Sequence, residues 1–379
     1  MTGHLHHRAV HRRHPVLLPL LVAFVAAACS PSAQGTPSPT AAPTGSLTPS
    51  ATPGDTPGPT PRPTDPTEPT PGPGPTWAEL AAKGPAARED HTWTVDGDGA
   101  FAYLFGGRSG STVYRDLWRY DLDADRWQRL TPSGSAPGAR FGHAAVWVDG
   151  VGLVVWAGQS GSSFFADLWA YDPGSTAWRK LPSTGAIPEA RYGSCAVERD
   201  GRMWISHGFT DRGRFSDTRA YDFAADTWTD ETPGGDVPVE RCLHDCLWAS
   251  DGRLLLYAGQ TNGAPALGDL WAFDPAAATW TELAKPEPPA RQLYAAATSG
   301  GLAWVFGGAG TKRQKLGDLW TLDLTTLVWR AVAPRGDGPS GRSGAALVGD
   351  PVRGRLLLFG GAAEDGELSD LWQLTSAVE

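Results

Sequence analysis

Six arginines recur at near-equal intervals along the chain: Arg88, Arg140, Arg191, Arg241, Arg291 and Arg342. Six aspartates follow them in step, Asp116, Asp167, Asp217, Asp269, Asp318 and Asp370. Two chemistries suit this pattern. A ring of guanidinium groups could clasp an anionic ligand through bidentate contacts, which makes these arginines candidate ligand-binding residues. Alternatively each arginine pairs with its own aspartate, and a residue demanded once per repeat is more often architectural. Three histidines, His91, His143 and His244, share one place three residues after an arginine, where packing is the simpler role. Cys195, Cys242, His244, Asp245 and Cys246 form a second group of reactive types. They are residue types that zinc favours, but three residues between Cys242 and Cys246 is poor ligand spacing on a strand, so no metal site is expected. A disulfide suits them better. Cys242 and Cys246 lie roughly 13 Å apart along an extended strand, too far to bond. Cys195 stands four residues after its arginine and Cys246 five after its own, as residues meeting across adjacent repeats would. The expected bond is therefore Cys195–Cys246, with Cys242 free.

These residues are positioned by a repeat. A turn pair, usually Gly-Gly, recurs with its second glycine at Gly107, Gly158, Gly208, Gly259, Gly308 and Gly361, in steps of 51, 50, 51, 49 and 53 residues. An apolar run such as Leu153-Val154-Val155-Trp156 precedes each pair, and the aspartate that follows usually begins Asp-Leu-Trp. A lone tryptophan comes later in each of the first five units, at Trp127, Trp178, Trp228, Trp280 and Trp329. Four short strands separated by Gly, Pro and Asp turns make one antiparallel sheet per repeat. One such sheet cannot bury both faces, so the sheets must stack radially.

The Gly pair, the aromatic-Asp turn and the spaced tryptophan closely resemble the kelch repeat across essentially all of residues 77–379. The resemblance implies an all-β, six-bladed kelch-type β-propeller with four antiparallel strands per blade. The sixth repeat stops after Asp370-Leu371-Trp372-Gln373-Leu374 and lacks its fourth strand. Trp77-Ala78-Glu79-Leu80 matches Trp127-Gln128-Arg129-Leu130, so the N-terminal strand near Trp77 is expected to close the last blade. With strands labelled a to d from the arginine, the b–c and d–a loops share the arginine side. The a–b and c–d loops share the other, and they are short and alike. The arginine-side loops differ, from Asp211-Arg212-Gly213-Arg214 and Thr261-Asn262-Gly263-Ala264-Pro265 to Lys312-Arg313-Gln314-Lys315 and Glu364-Asp365-Gly366-Glu367. Variable loops on a rigid scaffold are where recognition usually sits. Departures from the repeat gather in blades 3 and 4: in blade 3 His207-Gly208 replaces the Gly pair and Asp217-Thr218-Arg219 replaces Asp-Leu-Trp, and the group from Cys195 to Cys246 lies on the innermost strands of both.

Upstream, Arg8, Arg12 and Arg13 precede an apolar run from Val16 to Ala28, the pattern of an export signal over residues 1–29. Ala26-Ala27-Ala28-Cys29-Ser30 resembles the lipobox of bacterial lipoproteins, which implies acylation of Cys29; Ala26 departs from the Leu preferred there. Residues 30–76 are mostly Pro, Thr, Ser, Gly and Ala, too polar to fold and able to extend up to roughly 145 Å. The sequence thus reads as an exported, membrane-tethered binding module. It would act as a monomer, touch the membrane only through its lipid, and recognise a protein or a glycan through the arginine-side loops. A net charge of −9 argues against nucleic acid as partner. The alternative is a carbohydrate-active enzyme, since some kelch propellers are galactose-oxidase-like and a six-bladed group resembles sialic-acid epimerases. The copper constellation that the former implies cannot be mapped here, no acid or base stands out for the latter, and no catalytic residue or cofactor is assigned.

Overall fold

The computed structural model describes residues 74–375, apart from 82 and 284–287. Signal, tether and Cys29 lie outside these residues, except for the last three positions of the tether. Six sheets, each with four antiparallel strands a to d, form the six blades of the propeller; Thr184–Gly185 adds a parallel edge strand to blade 3, and Arg291–Gln292 adds a short pairing to strand b of blade 5. In blade 1 strands a to d are Thr92–Val95, Phe101–Phe105, Leu117–Asp121 and Arg126–Leu130. Blade 2 repeats them at Ala144–Val148, Gly152–Trp156, Leu168–Asp172 and Ala177–Lys180. Blade 3 has Cys195–Arg199, Arg202–Thr210, Gly213–Asp222 and Thr227–Asp230, and blade 4 has Asp245–Trp248, Leu254–Tyr257, Leu270–Asp274 and Thr279–Glu282. Blade 5 comprises Ala295–Ser299, Leu302–Gly310, Lys315–Asp323 and Trp329–Val332. Blade 6 takes strands a to c from Ala346–Asp350, Arg355–Phe359 and Leu371–Thr375, and strand d from Thr76–Leu80.

The closing strand pairs antiparallel with Leu371–Thr375, placing Trp77 opposite Leu374. Strand b carries the burial in every blade, as in Gly152–Trp156, where all five residues are buried. Six apolar clusters result, one in each interface between neighbouring blades; Trp77, Phe306 and Leu319, for example, join blades 5 and 6.

Hydrogen bonds circle the ring as well. The amide of the second residue in each turn pair donates to the arginine carbonyl of the next blade, from Gly107 to Arg140 (2.9 Å) through to Gly361 and Arg88 (2.8 Å). This approach leaves no room for a side chain: a Cβ on Gly361 would lie 2.9 Å from the Ser343 carbonyl, and its φ is +89°. Closer to the axis runs a second ring, closed on itself. Asp90, Gly142, Gly193, Leu243, Leu293 and Gly344 each donate an amide proton to the carbonyl of the preceding member, at 2.8–3.0 Å. All six lie two residues after an arginine and all have φ between 52° and 67°. Glycine adopts that conformation freely, whereas Asp90, Leu243 and Leu293 hold it at a cost in strain. The kink separates each arginine from strand a. Cys242 and Cys246 therefore do not share one straight strand: Leu243 turns the chain between them.

Candidate functional site

The six arginines do not line an open mouth. Each is 0–1% exposed and saturated. Arg88 donates to the Ala86 and Gly106 carbonyls (2.9 and 2.8 Å) and grips both oxygens of Asp116 (2.8 and 3.0 Å). Arg140, Arg191, Arg241, Arg291 and Arg342 repeat this with Asp167, Asp217, Asp269, Asp318 and Asp370. The tryptophan of Asp-Leu-Trp adds its indole N–H to the same carboxylate, 2.7 Å from Trp118 to Asp116. In blade 3 Arg219 takes over that donation to Asp217 (3.1 Å). Burial alone would raise these carboxyls, but the arginine's hydrogen bonds and charge hold all six below the ordinary value. Expecting them as an exposed ligand ring therefore fails on geometry, because no guanidinium face is left for a ligand. Each arginine is a latch, its side chain holding strands b and c of its own blade and its backbone holding the blade before.

The residue after each arginine is bridged to a b–c hairpin on the arginine side: Glu89 and Tyr192 are half-buried there, whereas Phe141, Cys242, Gln292 and Ser343 are buried beneath it. These positions differ in every blade. Around blades 1 to 3 they build an aromatic and cationic band. Arg108 bridges Glu89 (2.9 Å) and Asp90 (3.3 Å) and lies 4.6 Å over the Phe141 ring. Tyr192 meets Phe141 edge-on at 5.7 Å and Phe209 at 6.5 Å, Phe164 meets Phe209 at 6.1 Å, and Arg214 stands over Phe209 at 5.3 Å. Around blades 5 and 6 the face is polar, with Lys315 Nζ donating to Ser343 Oγ at 2.6 Å. Sequence reasoning missed this band. The available signal was the irregular residue standing beside a regular one.

The opposite face has short turns, and between blades 3 and 4 it holds a cavity of about 330 Å³ where Arg202 lies 4.8 Å over Trp204 and Arg199 5.1 Å over Trp248. Asp121, Asp222, Asp274 and Asp323 each accept two backbone N–H groups of their own c–d turn. Inside the ring lies a cavity of about 220 Å³, walled by small residues such as Thr94, Ala145 and Ala196 and by Asp90 and Asp245. Burial, with Glu89 beside it, pushes Asp90 up to about 7; burial pushes Asp245 up to about 7. His143 bonds Thr92 Oγ1 at 2.8 Å, whereas His91 has no hydrogen-bond partner among the described residues and packs edge-on to Phe359.

Cys195 and Cys246 are joined by a disulfide across blades 3 and 4, with their Cα atoms 5.5 Å apart, and Cys242 is free and buried on the far side of the Leu243 kink. Beside the disulfide lie His244, whose Nε2 is 3.2 Å from the Ser206 carbonyl, and His207, whose ring centroid is 5.5 Å from that of His244. Burial, reinforced mainly by the Arg241 guanidinium, drives His207 down to about 3, and burial with the neighbouring His207 and Arg241 drives His244 well below its ordinary value.

Comparison with known proteins agrees with this architecture. A family profile described as "KLHDC2/KLHL20/DRC7 Kelch-repeats domain" matches residues 75–259 and 231–377. Kelch domain-containing protein 10 of Xenopus tropicalis is 28% identical over 245 residues, 61% of this chain and 59% of that protein. The leucine-zipper-like transcriptional regulator 1 homolog of Drosophila melanogaster is 26% identical over 241 residues, 59% of this chain and 24% of that protein. N-(sulfonatooxy)prop-2-enimidothioate sulfolyase of Thlaspi arvense is 26% identical over 260 residues, 61% of this chain and 74% of that protein. The chain thus spans less than two thirds of the frog and fly relatives. These relatives are eukaryotic. The family match spans most of the chain, and the protein belongs to the kelch-repeat family.

Proposed function

We propose that the propeller is a protein-recognition module that engages its partner through the arginine-side loops, centred on the band of Phe141, Tyr192, Phe209, Arg108 and Arg214. The observation that carries this reading is the asymmetry between the faces. One has short turns that are alike from blade to blade; the other has b–c hairpins that differ in every blade and set Tyr192, Phe209, Arg108 and Arg214 beside them, and loops that vary on a rigid scaffold are where recognition usually sits. Photo-crosslinking on the full chain tests it. A crosslinker at Arg212 or Asp365 should trap a protein adduct that Phe209→Ala abolishes, while one at Asp123 or Asp251 on the opposite face traps none. Adducts from the opposite face alone, or saturable binding on a glycan array without a protein partner, would overturn the reading. Export and a lipid on Cys29 belong to the same proposal, with residues 30–76 as spacer. If Cys29→Ser still partitions with membranes and still takes up labelled palmitate, the anchor is lost from it.

A second reading, catalysis inside the ring, is favoured by the cavity carboxyls Asp90 and Asp245, raised to where an acid or base operates at neutral pH. The Thlaspi arvense protein, a sulfolyase by name, lends it a first substrate to try. Turnover of N-(sulfonatooxy)prop-2-enimidothioate that Asp90→Asn or Asp245→Asn abolishes would support it; no product with that compound would remove this form of it.

A further inference from the structure

Sequence spacing argues against a metal because it weighs Cys242 with Cys246. The residues that meet are others. The ligand atoms of Cys195, His244 and Cys246 all lie within 4.8 Å of one another, and all three residues are buried. His244 has a ring nitrogen to spare: Nε2 faces the Ser206 carbonyl, and Nδ1 has no hydrogen-bond partner among the described residues. The cluster borders the axial cavity, whose wall includes Cys195, His244 and Asp245.

The surroundings depart from the repeat at the same spot. The residue before the turn pair is a buried aromatic in five blades (Phe105, Trp156, Tyr257, Phe306 and Phe359) and Ser206 in blade 3. The next residue is Gly or Ala in those blades and His207 in blade 3, held at φ 59° with no exposure. Thr218 replaces the leucine of Asp-Leu-Trp and reaches Ser206 Oγ at 3.2 Å, while that hydroxyl lies 2.6 Å from His207 Nδ1. A polar network has thus replaced apolar packing beside the two sulfurs. Burying polar groups is costly in stability and is tolerated where something other than stability is served.

We propose that Cys195, Cys246 and His244 form a redox-gated site for a thiophilic cation, Zn²⁺ in the first instance. With the disulfide intact the sulfurs have no charge to offer a metal. A dithiol reductant supplies two electrons and two protons: its own sulfurs become a disulfide, the Cys195–Cys246 bond breaks, and each Sγ receives a proton. Zn²⁺ displaces both protons to solvent and takes two thiolates and one imidazole. At Zn–S distances of about 2.3 Å, tetrahedral geometry sets the two sulfurs about 3.8 Å apart, within the span of the cluster. A disulfide oxidant takes two electrons from the thiolate pair and two protons from solvent to become a dithiol, while the Cys195–Cys246 bond re-forms and releases the ion.

The test uses the full chain, reduced with dithiothreitol, desalted without oxygen and titrated with Co²⁺ as an optical probe and with Zn²⁺. The reduced protein should bind one equivalent with a thiolate-to-cobalt charge-transfer band, and the oxidised protein none. Cys195→Ser and Cys246→Ser should abolish the band, His244→Gln should weaken binding more than about tenfold, and Cys242→Ser should leave it unchanged. Circular dichroism on the reduced wild type and on the Cys195→Ala/Cys246→Ala double variant reports whether the propeller stays folded without the bond. A folded, reduced protein without the band overturns the proposal. So does loss of binding in Cys242→Ser, or unfolding on reduction, since the site exists only in a folded, reduced propeller.

Discussion

At the scale of the residue, the arginine latch and the buried histidine give opposite lessons about charge in a dry interior. Arg291 is fully buried and its carboxylate partner Asp318 is 35% exposed, so the guanidinium depends on a pair it cannot replace with water. Removing one member of a buried pair leaves the other unmatched, which typically costs about 3–5 kcal/mol. Arg291→Ala should lower stability by about that amount in urea unfolding. Arg291→Lys should recover only part, because an ammonium cannot grip two oxygens in parallel. A loss under 1 kcal/mol for Arg291→Ala would show that the latches are dispensable. His91 is buried uncharged; burial, with Arg88 nearby, brings it from 6.5 down to about 3. Below pH 6.5 its unfolded form takes up a proton that the folded form refuses, so its contribution is complete above pH 6.5 and fades as pH falls. The stability gap between His91→Phe and wild type should shift by about 2 kcal/mol in the variant's favour between pH 8 and pH 5. Urea unfolding at both pH values checks this, and an unchanged gap would mean that His91 is reached by protons in the folded state.

At the scale of the element, the blade was largely legible. The turn pair, the Asp-Leu-Trp motif and the lone tryptophan mark strands b, c and d in each repeat, and Gly152–Trp156 or Leu168–Asp172 fall where their apolar runs place them. Strand a was read less well, because nothing in the composition of Asp90, Leu243 or Leu293 announces a left-handed residue. That kink is imposed by the axial hydrogen-bond ring, a non-local constraint, and it decides which side chains face the loops and which are buried. The aromatic band was missed for the same reason: Phe141 and Tyr192 each stand one residue before the kink. Gly142 makes the dependence testable. A Cβ there would lie 2.0 Å from the Tyr192 ring, at a φ of +56°. Gly142→Ala should destabilise the propeller by about 1–3 kcal/mol through overpacking. It should also alter the near-ultraviolet circular dichroism as Tyr192 is displaced. The same variant should weaken partner capture from the loop face, whereas a thermal midpoint and spectrum like wild type would show the ring to be more yielding than its geometry implies.

At the scale of the whole molecule, closure decides whether six marginal sheets behave as one domain. Each blade buries its faces only against neighbours, so an open ring would expose one interface on each side of the break together with an unpaired strand edge. The chain closes by splitting blade 6, with Thr76–Leu80 set against Leu371–Thr375 and Trp77 packed edge-on to Phe306 at 5.6 Å in the interface with blade 5. Trp77 is 6% exposed and belongs to the apolar cluster shared by blades 5 and 6. Trp77→Ala removes an aromatic side chain from that interface, a change that typically costs about 3–5 kcal/mol. Because the loss falls at the closure, it should lower the midpoint of one calorimetric transition for the whole propeller rather than split off a separate step. Deleting 76–80 goes further: Leu371–Thr375 becomes a free edge, and the protein should associate through it in size-exclusion chromatography. A deletion variant that stays monomeric with an unchanged midpoint would mean that blade 6 stands on three strands and that closure adds nothing to cooperativity.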